Sequence, residues 1–399
     1  ILPAGTFQFT RTGVGENSAS TGDLDINSNV TIVGAGAELT IINANRLDRV
    51  LQIDGVVSLT DLTIAGGQAP GPHQPGNGYG GGIHIDGGVI SLERVRVTDN
   101  YGNFGVGGIS NLGDLTIYDS DISNNHTAYE AGALWVWGQG TAKLVNTTIS
   151  GNTADNAGGI ALQQNANELT LEHVTIFNNT ARWGGGGLKI NGGTVSVQNT
   201  VVAGNNADTG PDILGTVVSL GNNLFQNTTG GSGFVSSDLV GIDPLLSAQL
   251  LDVGPTLVHI PKYGSPLIDA GSSTLYFKDQ LGRLRNRDGN GNGVSQFDIG
   301  AFEVGQSPFA VIDDSYAGDD TSPIEAIDVN GDGTADLISA SYVNDRISVR
   351  LNDGVGFFGA AESYSSLDAV SGGLASADFD GDGYMDIVVA GERQTGKIA

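Results

Sequence analysis

Cysteine is absent from the 399 residues, so neither a disulfide nor a thiolate metal site is open to this chain. Basic residues are scarce: 17 Lys and Arg stand against 44 Asp and Glu, a net charge of −27. That balance excludes nucleic acid and anionic membrane surfaces as partners, because phosphate contacts need a basic face. It favours divalent cations. No apolar run is long enough to span a bilayer, so no membrane insertion is expected. No signal peptide is visible; the chain opens on ILPAGTFQF, which already reads as a strand, and a mature or truncated piece is expected.

Glycine, by contrast, is abundant at 63, without a collagen-like period; it punctuates short β segments. Hydrophobic residues reach 39% and recur periodically, which argues against disorder. The segments LERVRVTDN, IYDSDISNN, LVNTTISGN, LEHVTIFNN and VQNTVVAGN end at Asn100, Asn125, Asn152, Asn179 and Asn205, in steps of 25, 27, 27 and 26 residues. A second track runs out of phase with the first: Gly82-Ile83, Gly108-Ile109, Gly132-Ala133-Leu134, Gly159-Ile160 and Gly187-Leu188. Two tracks with one period mean a solenoid, in which no coil buries its apolar face alone.

Alignment of the coils as L-x-x-V/T-x-I-x-x-N puts Leu59, Leu92, Ile117, Leu144, Leu171 and Val197 in one inward slot and Ile64, Val97, Ile122, Ile149, Ile176 and Val202 in another. The closing asparagine falls where the chain turns between sheets. That residue type tolerates the left-handed conformation and can hydrogen-bond to the asparagines above and below. Coils of this length, with short strands and no helical signal, fit an all-β, right-handed parallel β-helix of about nine coils, roughly 40 Å long. The coil holding GGQAPGPHQPGNGYGG is longer, and its insert must loop out. The pattern fades after Asn222. An open end exposes unpaired backbone, so the irregular stretch to Glu303 is expected to cap it.

The order of LPAGTF, TGDLDI, TIVGAGAELTII, the GGI/SGN repeats, GNNL, GSPLIDAG, DQLGR and DIGAFE over Ile1–Glu303 resembles the right-handed parallel β-helix repeat proteins of the polymorphic outer-membrane-protein and CSLREA-type secreted bacterial class. The CSLREA element itself is missing, and the resemblance carries over no catalytic residue. The tail, with DVNGDGTAD at 328–336, ISVRLNDGVGFFG at 347–359 and DFDGDGYMD at 378–386, resembles FG-GAP/VCBS repeats, the blades of calcium-binding β-propellers. The expected domains are therefore a β-helix over 1–225, its irregular end over 226–303, and about two FG-GAP/VCBS-like repeats over 304–399, the second incomplete. From Val304 onward, 17 acids stand against 4 bases.

The two acidic loops have the spacing of a cation site. Asp328, Asn330, Asp332 and Asp336 place side-chain oxygens at positions 1, 3, 5 and 9 around a tight glycine turn; Asp378, Asp380, Asp382 and Asp386 do the same. The carbonyls of Thr334 and Tyr384 fall at position 7. Alternating oxygens in such a turn converge on a point, which suits Ca²⁺. Position 12 is Ser339 or Val389 and the flanks are strand-like, so neither loop is an EF-hand. The bland alternative is a solvated acidic turn. A weaker copy, Asp288, Asn290 and Asn292 followed by Asp298, is closer to an ordinary polar turn.

Two outward features on the solenoid could carry function. Arg94 and Arg96 are expected to face Asp119 and Asp121 on the next coil, as uronate cleavage would need, or else as a plain ladder of ion pairs. On ALWVWG, Leu134 and Val136 take inward slots, so Trp135 and Trp137 should point outward beside Leu112, with His84 and Lys189 two coils off on either side. Such a pair can stack on sugar or anchor a protein interface; alternatively the 68–80 loop folds over it. The combined reading is an extracellular or cell-surface, bacterial structural or adhesive protein that associates with itself, with a surface assembly or with polysaccharide. The rival readings are a carbohydrate-active enzyme (polysaccharide lyase or hydrolase) or a carbohydrate-binding β-helix, and a self-assembling subunit of an extracellular filament.

Overall fold

The computed structural model describes residues 1–13, 21–69, 79–262, 264–305, 324–330, 335–341, 346–352, 362–365, 370–379 and 385–391. They divide into two compact units, one of residues 1–287 with 295–304 and one of 288–294 with 305–399. Among the described residues no helix is long and apolar enough to cross a membrane.

The first unit is a parallel β-solenoid with three sheets of 13, 9 and 5 strands. The long sheet is dominated by ten-residue strands at Val56–Ala65, Val89–Thr98, Asp114–Ser123, Thr141–Ser150 and Glu168–Phe177. A triplet sheet starts at Leu24–Ile26 and passes through Ile83–Ile85 and Leu134–Val136 to Leu188–Ile190 and beyond; its nine strands match the nine coils expected. A doublet sheet comprises Gln68–Ala69, Tyr101–Gly102, His126–Thr127, Thr153–Ala154 and Thr180–Ala181. Both aliphatic columns are buried to 1% exposure or less from Leu59 to Val202 and form one continuous core.

Each ten-residue strand is bent once. Asp61, Arg94, Asp119, Asn146, His173 and Asn199 all have φ between 47° and 57°. The residues in this corner are not glycine, and each such backbone costs about 1–2 kcal/mol. The bend reverses the alternation, so that Leu62 as well as Leu59, and Val95 as well as Leu92, face the core.

The asparagine ladder stands where the sequence places it, between the long sheet and the doublet sheet. Asn125 Oδ1 accepts both the backbone N–H of Asn100 at 3.1 Å and its Nδ2–H at 3.0 Å. Asn152, Asn179 and Asn205 repeat the pattern, and Asp212 Oδ1 ends it by accepting from Asn205. The expected left-handed backbone belongs one residue earlier, to Gly66, Asp99, Asn124, Gly151, Asn178 and Gly204. Those residues turn the chain so that the ladder amide points inward, where it can replace the backbone bonds lost at the corner.

The stretch after the solenoid pattern fades does not act simply as an end cap. Residues 243–262, 264–287 and 295–304 fold back along the long sheet, from the Val89–Thr98 strand onward, as a strap. Asp252 meets Arg96, Thr256 donates to Asp119 O, Ala270 O receives Asn222, Thr274 meets His173, Gln280 meets Thr148, and Ala301 N donates to Thr175. Gly300 lies close against the sheet: its φ is 105°, and a Cβ there would come within 2.9 Å of Thr175 Oγ1. Leu246, Leu267 and Ile299 pack on Val201, Ala203 and Leu224 beneath it.

In the second unit, Ile324–Ile327, Asp336–Ser341, Arg346–Arg350 and Glu362–Ser365 form an antiparallel sheet of four strands, and Val370–Ala377 pairs with Asp386–Gly391 in a second sheet. Ala340 and Val389 pack with Ile347, Leu374 and Ile387. One complete four-stranded blade and a hairpin are therefore present among the described residues.

Candidate functional site

The arginine and aspartate face is an interior seam. Arg94 turns back to Asp61 on the preceding coil, with Nε 2.6 Å from Oδ1, and also pairs with Glu93, instead of facing Asp119. Arg96 lies 3.8 Å from Asp121 but binds Asp252 of the strap at 2.7 Å and donates to the Pro255 carbonyl. Asp121 is fully buried and accepts from Ser123 Oγ and from the Leu257 amide. Burial pushes its carboxyl up to about 6, against the pull of those bonds and of Arg96; Asp119 is raised to about 6 for the same reason. Residues of the 252–257 segment lie against this pair: Asp252 and the Pro255 carbonyl engage Arg96, and the Leu257 amide engages Asp121.

The tryptophans do lie side by side on the outward face of the triplet sheet, their rings stacked 4.7 Å apart at 8°. They are not a free platform. Tyr79, at the end of the long insert, lies 5.5 Å from Trp135 and 5.0 Å from Trp137, and Trp135 is only 8% exposed. Trp137 Nε1 donates to Ser110 Oγ, and Leu112 packs one coil away against the turn at Gly138. His84 and Lys189 occupy the Trp135 column as expected, each two coils away. Burial, reinforced by Arg49, lowers His84 to about 3, while Lys189 donates to Asn156 Oδ1.

In both acidic loops of the second unit the position-9 aspartate acts as a latch. Asp336 Oδ2 accepts the Val329 N–H at 3.0 Å, and Asp386 Oδ2 accepts the Phe379 N–H at 2.9 Å. The bond joins the same two positions in each loop. Asp336, fully buried, also accepts the Asn352 N–H at 2.6 Å through Oδ1. Asp328, Asn330 and Asp378 flank these latches; Asp332, Thr334, Asp380, Asp382 and Tyr384 lie outside the described residues. The Asp288 loop ties itself together: Oδ1 accepts from Gly291 and Asn292, Oδ2 from Gly293, and Asn290 and Asn292 accept from their own neighbours. Asp298 is spent elsewhere, accepting the Asp269 and Val304 amides inside the strap.

A buried polar assembly in the first unit, centred on Arg285, has no periodic signature in the sequence. Arg285 is buried completely, and its guanidinium meets Glu303 at 3.4 Å, Asn146 Oδ1 at 2.9 Å and the carbonyls of Gly300, Ala301 and Lys278. Glu303 Oε2 and Asp279 accept amides from the same turns. Burial raises Asp298, Glu303 and Asp279 and lowers His173. DQLGR and DIGAFE, quoted above only for their order, supply Asp279 and Asp298–Glu303 to this clamp, and Arg285 follows DQLGR by two residues. Two polar motifs with no periodic partner were the only signal.

No curated protein and no solved structure matches the chain. The blade and its latched loops do have a counterpart in a family model: residues 328–389 match the FG-GAP-like repeat, which suggests a cell-surface or adhesion-type repeat protein.

Proposed function

We propose that this chain is a secreted or cell-surface structural and adhesive protein of bacterial origin, in which a β-helix rod is joined to repeats held together by Ca²⁺. The observation that carries the reading is the shared latch. Asp336 and Asp386 close two loops of one acidic pattern in one way, inside a segment that matches the FG-GAP-like repeat. A carboxylate-rich turn of this kind repels itself, and a hard cation with oxygen ligands relieves the repulsion. The rod supplies rigid length. The whole chain's net charge of −27 opposes random aggregation, so association with other copies or with a surface assembly would be specific and strengthened by Ca²⁺.

Isothermal titration with Ca²⁺, paired with calorimetric melting in chelator, tests the reading. Binding is expected, together with a chelator-sensitive transition for the second unit and an unmoved transition for the solenoid. No heat of binding, or a melting profile that ignores chelator, would remove calcium from the account.

A further inference from the structure

We propose that the solenoid binds a neutral polysaccharide in a groove along the doublet sheet, with its floor running from Gln68 to Thr180 and an aromatic wall at Phe104, Tyr129 and Trp183. The inference deepens the adhesive reading by naming a ligand class. The floor presents one outward polar side chain per coil, in strict register: Gln68, Tyr101, His126, Thr153 and Thr180. The Tyr101 and His126 rings stack 5.1 Å apart at 28°, and His126 Nδ1 pairs with Thr153 Oγ1. A cavity of about 400 Å³ opens at the Gln68 end, lined among others by Arg46, Gln68, Asp99, Tyr101, Asn103 and His126. The Arg46 guanidinium there is neutralised by Asp99 at 2.5 Å, so the cavity offers hydrogen bonds without a free charge for an anion.

The wall stands a few residues further along each coil. Phe104 and Tyr129 lie 4.8 Å apart, and the bonds Asn156 N to Tyr129 O and Trp183 N to Asp155 O carry the row on to Trp183. Tyr129 is 39% and Trp183 50% exposed, unlike the covered Trp135. Rings beside amides, hydroxyls and an imidazole suit a ligand with apolar C–H faces and many hydroxyls. The coil spacing of about 4.8 Å is close to the advance of one pyranose unit in an extended chain, so successive sugars would meet successive coils. The net charge of −27 disfavours acidic glycans and nucleic acids. The floor lacks the apolar centre that a protein partner would bury.

The test is titration of the full chain with the hexasaccharides of cellulose, mannan, xylan, β-1,3-glucan and chitin, each beside its trisaccharide. At least one hexamer is expected to bind, more tightly than its trimer and at least tenfold more weakly to Tyr101→Ala and to Trp183→Ala. Phe277→Ala, on the strap, should leave binding unchanged. Melting temperatures near wild type for all three variants would show that the fold is kept. Binding should survive chelation, because the groove lies wholly in the first unit; failure of the calcium reading would therefore leave this result standing, and the reverse. Silence from all five hexamers, affinity indifferent to both groove variants, or tighter binding of hexagalacturonate titrated in parallel would overturn the proposal.

Discussion

Arg285 and Asn146 are 139 residues apart in the chain, and the buried guanidinium of the first donates through Nη2 to Oδ1 of the second at 2.9 Å. Asn146 also donates to Asp119 and to the Lys278 carbonyl, so one corner of the solenoid and one turn of the strap share a single hydrogen-bonded centre. The left-handed corner is the means. By bending every long strand at the same place, it sets Asp119, Asn146, His173 and Asn199 in one row that the strap grips, with Asp61 and Arg94 ahead of them in the same slot.

Arg285→Met should therefore release the strap. It removes the only cation paired with Glu303 among the described residues while leaving the buried acids in place, and breaking such a pair costs about 3–5 kcal/mol. Chemical denaturation should show a loss of that order. Limited proteolysis should cut within 243–304 before the solenoid. Arg285→Lys should not rescue, since one ammonium cannot reach Asn146 and the Gly300 and Ala301 carbonyls together. Protease resistance equal to wild type would show that the clamp is dispensable.

Asn152→Ala removes the middle of the ladder. It strands the Asn125 backbone N–H and takes a donor from the Ile122 carbonyl in the interior; Asn125 Nδ2 keeps only Val97 O, and Asn179 Oδ1 keeps only the backbone N–H of residue 152. Each stranded group costs about 1–3 kcal/mol, so a loss of several kcal/mol in urea titration is expected. Asn124→Ala, at the exposed left-handed position beside it, should cost only about 1–2 kcal/mol.

Acidification from pH 8 should stabilise the solenoid. Burial raises Asp23 to about 7 and Asp119 and Asp121 to about 6, and lifts Asp298 and Glu303 as well. The folded state thus holds protons that the unfolded chain releases near pH 4, and this contribution is lost as pH rises through about 6 to 7. Depressed histidines act oppositely: His84 at about 3, His259 at about 4 and His173 stay neutral when folded, and their contribution is lost as pH falls below about 6.5. The acids outnumber the histidines, so the melting temperature should be higher at about pH 5.5 than at pH 8. A melting temperature that climbs steadily toward pH 8 would contradict the assignment.

Tyr79→Ala should uncover the stacked tryptophans. Trp183 is already accessible, so acrylamide quenching of the wild type should resolve one exposed and two protected tryptophans. The variant should shift the emission to the red and convert a second tryptophan to the quenched class.

Asp336→Asn tests the latch apart from the metal. The amide keeps one acceptor, so either the Val329 or the Asn352 bond is lost, at about 1–3 kcal/mol. The transition of the second unit should fall in chelator as well as in Ca²⁺, while that of the solenoid stays fixed.

The period, the two aliphatic columns, the asparagine ladder and the pair of acidic loops were all determined by the sequence alone. Each repeats at a constant offset, because every coil meets the same neighbours, and a repeated environment selects repeated residues. Even the corner was latent: Leu59 and Ile64 both face inward, yet five residues of unbroken strand would put them on opposite faces, so a phase slip was required. Its location was not legible, because aspartate, arginine, asparagine and histidine share the slot. Only the tertiary structure decided that residues 252–262, 264–285 and 298–303 lie against that corner, that Arg94 pairs backward with Asp61, and that Tyr79 closes over Trp135. These contacts join segments that occur once, at separations such as the 159 residues between Arg96 and Pro255. A contact made once leaves no period in the chain, and its energy depends on burial that exists only after the coils have stacked.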